Sequence, residues 1–359
     1  MSPTPRHTRI ARVTAGLVAL VGLLICPDVP RAEDIRPGVV RTPDSRFVDL
    51  EGFPFEPHYV EIDGMRVHYL DEGPRDGETI LLIHGEPTWS YLFRKMIPIL
   101  VGAGYRVVVP DLVGFGKSDK YEDEAAYSYA MQIESMTAFV KRLDLRGATF
   151  FGQDWGGLIG LRVVAAQPHR FSRVVVSNTA LASSGGVGGA LGYPLFKALV
   201  WWLGPITLED LRTDLTFPRW VAYSQNVPDL PIGDVMVALS GGKEYPRAGY
   251  EAPFPDRSYK AAAHIMPYLV PSQLRENEAA WQTVFDEWDK PFLVAFTDGD
   301  PLTGAGETVF LERIPSAEQV KIRGAGHFVQ EDAGPELARL IVDFMQDRPL
   351  PAEIVVERN

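Results

Sequence analysis

One aspartate follows a predicted buried strand at a sharp turn. The stretch TFFGQDWGGLIGL runs from aromatic and β-branched residues through Asp154 into a glycine pair and a helical pattern. In enzymes that use such a strand–turn–helix, the turn raises one nucleophilic side chain, usually serine or cysteine, above the sheet. Small residues at Gly152, Gly156 and Gly157 would let a strained turn pass close to neighbouring strands. An aspartate that only caps the next helix is the alternative, and the turn alone leaves both readings open.

Two histidine-containing loops could complete such a site. RGAGHFVQED places His327 on a glycine-flanked loop after the last predicted strand, where a general base could face a cleft. LLIHGEPTW places Glu86 just past another buried strand, where a backbone N–H could stabilise an oxyanion. We interpret His84 of the same motif as a loop-structuring residue. For His327 the alternative is a surface histidine without a catalytic role.

Eight short apolar segments predict the strands that would position these residues. They are HYVEIDG, MRVHYLD, TILLIHG, YRVVVPD, ATFFGQD, RVVVSN, PFLVAFTD and EQVKIRG. Stretches long enough for crossover helices separate the later ones. This alternation predicts a mostly parallel sheet covered on both faces. Ligands of such sheets bind beyond the carboxyl ends of the strands, where several of the polar residues fall.

The alternation breaks between about residues 180 and 271. This interval is rich in Gly, Pro, Trp and Tyr and contains no convincing buried strand. It predicts a mainly helical insertion between the sixth and seventh core strands. We therefore divide the chain into a first part of an α/β core over 45–180, a helical cap over 181–271 and a second part of the core over 272–349.

The first 32 residues have the pattern of a secretory signal peptide. Basic residues precede an apolar run from Val13 to Cys26, and a polar stretch ends at Ala32. The apolar run is short for a membrane span, so no stable span is expected in the mature chain. Cys26 is the only cysteine and lies in this segment, so the mature chain would have no disulfide. We predict a periplasmic or secreted protein; an uncleaved anchor or a misplaced start codon is the alternative.

Charge argues against one class of partner. The chain has 47 acidic and 35 basic side chains and a net charge of −12. Phosphate backbones would repel such a protein, so nucleic acid is an unexpected partner. The oligomeric state cannot be read from the sequence.

Five motifs together resemble those of the haloalkane dehalogenases, in particular the subfamily that carries HGEP. They are HGEPTWSYLFRKM, DLVGFGKSDK, GQDWGG, APFPD and GAGHFVQED, and the similarity spans residues 47–344. The resemblance implies an α/β-hydrolase fold, with a mostly parallel eight-stranded sheet, helices on both faces and a helical cap between strands six and seven. It implies hydrolysis of haloalkanes to a primary alcohol, a halide and a proton. The implied partners are a small haloalkane, water and halide, without a metal or an organic cofactor.

The resemblance also implies roles for individual residues. Asp154 would displace halide and form an aspartyl ester, and water activated by His327 would hydrolyse that ester. The backbone N–H groups of Glu86 and Trp155 would hold the oxyanion. A carboxylate suits this chemistry because a serine would give an ether, which such a site could not hydrolyse.

Indole N–H groups would receive the departing halide, because they donate hydrogen bonds and cannot accept them. In the family one donor is the Trp after the nucleophile, here Trp155. The second comes from the cap, where Trp220 matches the family's W-x-x-x-S-Q surroundings. Trp201 and Trp202 lie in an extra apolar stretch, and we interpret them as packing residues or surface anchors. The extra stretch, around 183–206, could change access to the site or form an interface.

The acid that orients His327 has two possible positions in this superfamily, after the sixth or the seventh strand. The sixth strand is followed by Asn178, which is not a carboxylate. The seventh is followed by both Asp298 and Asp300 in TDGDPLTG. Aligning DPLTG on the subfamily's pattern selects Asp300, which would fix the imidazole tautomer.

Other functions of the same fold remain as alternatives. An epoxide hydrolase shares the Asp–His–Asp set and would need two cap tyrosines, for which Tyr223, Tyr245 and Tyr259 are candidates. A fluoroacetate-type dehalogenase would carry an arginine after the nucleophile, whereas this chain has Trp155. A serine esterase is excluded by Asp154 at the turn. A non-catalytic binding protein of this fold is the alternative from another class.

Overall fold

Twelve strands form two sheets in the computed structural model, which describes Met1, residues 33–240 and residues 243–356. The strands are β1 (Glu33–Arg36), β2 (Val39–Arg41), β3 (His58–Ile62), β4 (Met65–Glu72), β5 (Thr79–Ile83), β6 (Arg106–Pro110), β7 (Lys120–Tyr121), β8 (Ala148–Gln153), β9 (Phe171–Ser177), β10 (Phe292–Thr297), β11 (Glu318–Arg323) and β12 (Glu353–Val355). Nine of them form the central sheet in the order β12-β11-β10-β9-β8-β5-β6-β4-β3. The other three form a small sheet in the order β1-β2-β7.

In the spatial order of the central sheet, all neighbouring strands between β12 and β6 are parallel. At the other edge β4 is antiparallel to β6, and β3 is antiparallel to β4. Every residue of β5, β8 and β10 is buried, as expected for strands covered on both faces. The predicted α/β-hydrolase fold is confirmed. The expected number of eight strands is wrong by one, because the three residues of β12 add a short edge strand next to β11.

The helices cover the sheet and fill the interval between β9 and β10. They are α1 (Ile97–Gly102), α2 (Tyr129–Arg142), α3 (Trp155–Ala166), α4 (Gly186–Leu203), α5 (Leu208–Thr213), α6 (Phe217–Asn226), α7 (Ile232–Leu239), α8 (Arg247–Glu251), α9 (Ala261–Leu269), α10 (Leu274–Ala280), α11 (Gly306–Arg313), α12 (Val329–Asp332) and α13 (Gly334–Met345). Local sequence sets several boundaries. Ser128, for example, begins α2 by accepting a hydrogen bond from the N–H of Met131 at 3.0 Å.

The interval between β9 and β10 contains helices α4 to α10, and within its described residues, 178–240 and 243–291, there is no strand. α4 and α6 pack together through Val200, Val221 and Ala222. The helical structure continues to Phe285, beyond the predicted end of the cap at residue 271. The division of the chain into core and cap stays a prediction.

The predicted signal peptide, residues 1–32, lies outside the described residues except for Met1. Among the residues that are described, no helix has the length and apolar character needed to cross a bilayer.

Candidate active site

Asp154 occupies a sharp turn between β8 and α3. Its φ of 53° is unusual for a residue with a side chain. The turn passes so close to the neighbouring loop that a Cβ atom on Gly85 would lie 2.5 Å from the Asp154 side chain. A Cβ atom on Gly156 would collide with the backbone of Ile83, and one on Gly157 with the side chain of Thr179. The glycines therefore allow the strained turn to pack against its neighbours. Strained backbone of this kind persists only where the surrounding structure holds it in place.

Hydrogen bonds from the end of β9 hold this turn. The N–H of Asp154 donates to the carbonyl oxygen of Asn178 at 2.9 Å. The hydroxyl of Thr179 donates to the carbonyl oxygen of Asp154 at 2.6 Å. The N–H of Leu158 donates to the same oxygen at 3.1 Å and begins the helical pattern of α3. These bonds fix the Asp154 backbone without using its side chain.

His327 lies between two carboxylates. Its Nδ1 is 3.0 Å from Oδ1 of Asp300, and its Nε2 is 3.6 Å from Oδ2 of Asp154. The side chains of His327 and Asp300 are almost completely inaccessible to solvent, whereas Asp154 retains 17% exposure. The N–H of Leu302 donates to Asp300 Oδ1 at 2.9 Å, and the Thr303 hydroxyl donates to its other oxygen. Asp300 is therefore held in place to accept from Nδ1–H of His327.

The two carboxylates determine the charge of the imidazole. Burial opposes a charged ring, but Asp300 and Asp154 outweigh it and raise the pKa of His327 to about 10. Burial likewise acts to raise the pKa of Asp300, and the charge and hydrogen bond of His327 overcome it, so that the pKa of Asp300 is lowered. In the free site the two carboxylates consequently favour the imidazolium form of His327.

Asp298, the other carboxylate of the same loop, is paired with the backbone of the residue that follows β11 and not with His327. Asp298 is exposed and accepts a hydrogen bond from the N–H of Gly324 at 2.9 Å. The structure thus brings together Asp154, His327 and Asp300, and leaves Asp298 at the surface.

The loop after β5 supplies a backbone donor. The N–H of Glu86 donates to Oδ1 of Asp154 at 2.8 Å. His84 is buried, and its two ring nitrogens are occupied: Nδ1–H donates to the carbonyl oxygen of Gly85 at 2.9 Å, and Nε2 accepts from the N–H of Leu112 at 2.9 Å. The geometry of His84 agrees with the structural role expected from the sequence. The backbone of this loop is therefore rigid where it meets the Asp154 carboxylate.

The Glu86 side chain is an unusual feature of this loop. It is buried, and its Oε1 has no hydrogen-bond partner among the described residues. Burial and the nearby charge of Asp154 raise the pKa of this carboxyl well above its usual range. The buried Glu86 carboxyl therefore holds a proton more strongly than an exposed glutamate does.

Trp155 and Trp220 are both buried. Trp155 begins α3 and meets Tyr129 edge to face at 4.9 Å, and Trp220 lies on α6 with its ring 6.2 Å from that of Tyr223. Neither indole N–H donates to a residue of the described chain. The indole of Trp281, by contrast, donates to the carbonyl oxygen of Leu181 at 3.0 Å. Trp155 and Trp220 thus retain donors that an anion could use.

Two residues that sequence reasoning missed support His327. The side-chain amide of Asn178 donates to the carbonyl oxygens of Gly326 and His327 at 2.9 and 3.0 Å. The amide nitrogen of Gln153 donates to the carbonyl oxygen of His327 at 3.1 Å and lies 3.2 Å from its Nε2. The contact between the Gln153 amide nitrogen and Nε2 of His327 is a hydrogen bond only when the imidazole is neutral and Nε2 can accept. Gln153 therefore favours the neutral form of His327, which can act as a base. The only signal for either residue was a polar side chain at the end of a buried strand.

In the part of the chain that the structure describes, no group of His, Cys, Asp and Glu side chains could hold a metal ion.

Most of the chain is similar to proteins of one known family. The profile of the alpha/beta hydrolase fold family matches residues 78–334. The haloalkane dehalogenase of Psychrobacter cryohalolentis is 42% identical over 326 residues, which cover 87% of this chain and 99% of that protein. The haloalkane dehalogenase of Mycobacterium marinum is 43% identical over 320 residues, with 85% and 99% covered.

A solved structure shows the same similarity in three dimensions. The tetrameric haloalkane dehalogenase DpaA from Paraglaciecola agarilytica NO2 superimposes with a TM-score of 0.70 at 32% sequence identity. The superposition covers 84% of this chain and 96% of DpaA.

Proposed function

The chain belongs to the haloalkane dehalogenase family of the α/β-hydrolase fold, and we propose that Asp154 is the nucleophile with which it hydrolyses carbon–halogen bonds. One observation carries this assignment. The Asp154 carboxylate sits on a strained turn, accepts the N–H of Glu86 on one oxygen and faces His327 with the other. Such an arrangement aligns the carboxylate for attack on a carbon atom, as a nucleophile requires.

The first half-reaction needs no proton transfer. An oxygen of Asp154 forms a bond to the halogen-bearing carbon, and the carbon–halogen bond breaks with its electron pair leaving on the halide. The product is an alkyl ester of Asp154. The unpartnered indole N–H groups of Trp155 and Trp220 would stabilise the negative charge that develops on the halide.

Ester formation changes the protonation of His327. The raised pKa of His327 depends in part on the charge of Asp154, which the ester no longer carries. The imidazolium is then more acidic, and the neighbouring amide of Gln153 favours the neutral ring. His327 releases this proton to solvent, where it is the proton of the overall reaction, and the neutral ring is the base of the next step.

In the second half-reaction, water attacks the carbonyl carbon of the Asp154 ester while Nε2 of His327 takes its proton. The backbone N–H groups of Glu86 and Trp155 would hold the oxyanion. Collapse of the intermediate breaks the bond between the acyl carbon and the alkoxy oxygen, and the imidazolium of His327 gives its proton to that oxygen as the alcohol leaves. The carboxylic acid of Asp154 then passes its proton to Nε2 of His327, which restores the carboxylate and the imidazolium. Asp300 keeps Nδ1–H of His327 oriented and stabilises the imidazolium. The sum is haloalkane and water giving alcohol, halide and a proton.

The structure argues against one of the three tyrosines that the epoxide hydrolase alternative could use. Of the candidate tyrosines, Tyr245 donates its hydroxyl to Oδ1 of Asp332 at 2.9 Å. A tyrosine that protonates an opening epoxide needs its hydroxyl directed at the substrate, and that of Tyr245 is directed at a carboxylate.

The reaction can be tested by halide release from 1,2-dibromoethane or 1-bromobutane. We expect release by the wild-type chain and none by Asp154→Ala. Asp298→Ala is the matched control, because it removes an exposed aspartate of the nearby loop and should leave turnover unchanged. An enzyme that hydrolyses styrene oxide and releases no halide would contradict the proposed reaction.

We also propose that the protein is exported, because its first 32 residues combine a basic start, an apolar run and a polar end. Fractionation of the native host should find a shortened chain in the periplasm or the medium. A full-length chain in the cytoplasm would contradict export.

A further inference from the structure

The outer surface of α4 is apolar along the whole helix. The large apolar side chains on this outer surface are between 40% and 84% exposed, although they are of types that proteins usually bury. We call these six residues the α4 face: Val187, Leu191, Leu195, Leu199, Trp201 and Trp202. The first four recur at every fourth position, so they form one ridge along the helix.

The opposite side of α4 anchors the helix to the rest of the chain. Val200 is buried against Val221 and Ala222 of α6. The ring of Phe196 stacks on that of Phe217, with the ring centres 5.7 Å apart. The α4 face is therefore the outside of a packed element, and packing within the described chain leaves it uncovered.

The area of the α4 face is that of a protein interface. Exposed tryptophan and aliphatic side chains of these types present on the order of 800 Å² in total. The largest apolar patch of an ordinary soluble monomer is about 300 to 600 Å². A stable protein–protein interface buries about 800 Å² on each partner. A single second subunit could thus cover the whole face.

The charges near the face favour a second copy of this chain over a membrane. α4 has no acidic residue, and Lys197 is its one charged side chain. Binding to a bilayer through a helix usually uses several basic residues around the apolar side chains. The first two arginines after α4 are paired with carboxylates, Arg212 with Glu209 and Arg219 with Asp214. They therefore do not form the basic cluster that anionic lipids attract. Abundant tryptophan with few charges is typical of homodimer interfaces.

We propose that the α4 face is a homodimer interface, in which two α4 helices pack across a twofold axis near Leu195. Ridges formed by every fourth residue can interdigitate with the same ridges of a second helix. A twofold axis brings the same surface from both subunits together, so one helix face suffices. Leu195 lies near the middle of the face, where the two helices would be closest. The proposal is independent of the catalytic assignment.

Sedimentation velocity of the whole chain, in buffer without detergent, tests the proposal. The wild type should sediment as an assembly, and Leu195→Glu should shift it towards the monomer by placing two buried like charges near the axis. We expect the dissociation constant to rise at least about 100-fold. The matched control is Val309→Glu, which introduces the same charge at an exposed valine of α11 and should leave the assembly intact.

A second variant tests the interface without a buried charge. In a chain that also carries Cys26→Ser, Leu195→Cys should form a disulfide between subunits on mild oxidation, whereas Val309→Cys should not. A monomeric wild type, or an assembly that Leu195→Glu leaves intact, would overturn the proposal. A monomer that floats with neutral phosphatidylcholine vesicles would assign the face to a bilayer instead.

Discussion

Replacing Asp154 with asparagine should lower the pKa of His327, because the substitution removes a negative charge 3.6 Å from Nε2 and keeps the shape of the side chain. At that distance two unit charges interact by about 4 to 5 kcal/mol at an effective dielectric constant of about 20. This energy corresponds to about 3 pH units. Asp154 retains some exposure, so solvent weakens the interaction, and we expect a decrease of about 1 to 3 pH units from the value of about 10.

The change can be measured by NMR titration of histidine ring resonances. The chain has seven histidines, and His327→Gln would identify the resonance of interest. An intact-mass measurement would verify that the introduced amide has not hydrolysed. Asp298→Asn is the matched control, since it removes an equal charge from an exposed position that does not contact His327. If the pKa of His327 stays the same in Asp154→Asn, the charge of Asp154 does not control the base, and the switch on ester formation is refuted.

Three further predictions concern individual side chains. Trp220→Phe should weaken halide binding about 10- to 100-fold by removing one N–H donor to an anion, as measured by quenching of tryptophan fluorescence; an equal loss in Trp202→Phe would show that the cap donor was wrongly assigned. Asp300→Asn should lower kcat on the order of 1,000-fold, whereas Asp298→Asn should not, and equal effects on halide release would contradict the acid assignment. Burial raises the pKa of Glu86, so the folded protein binds a proton at this carboxyl more tightly than the unfolded chain does. The wild type should therefore lose stability relative to Glu86→Gln as the pH rises above about 4.3, by about 1.4 kcal/mol per pH unit until the folded pKa is reached. Denaturant unfolding at several pH values measures this difference, and a difference that does not vary with pH would show that folding does not raise the pKa of Glu86.

The sequence predicted the strands of the core well because their signal is local. All eight apolar segments are strands, and each is bounded by turn residues that the sequence displays. The missed strands, β1, β2, β7 and β12, have two to four residues each. Such short strands have no periodicity of their own, and their pairing with distant segments decides whether they form.

Site residues could be predicted from the sequence where a single local motif identifies them. They were harder to predict where their role depends on contacts between segments that are distant in the chain. Asp154 and His327 stand in distinctive surroundings, whereas the choice of Asp300 over Asp298 rested on alignment to a family pattern. The structure gives the physical difference, since Asp300 contacts His327, whereas Asp298 is exposed and accepts the N–H of Gly324. The support from Asn178 could not be predicted, because it depends on a partner 149 residues away in the chain.

The most direct test of the central claim, that Asp154 forms a covalent intermediate, is mass spectrometry of His327→Phe after exposure to 1-bromobutane. This variant retains the nucleophile and lacks the base, so the first half-reaction should proceed and the second should stop. We predict one butyl group per chain, on the peptide that contains Asp154, and release of one equivalent of bromide. Bromide release without an adduct, or an adduct on another residue, would contradict the account.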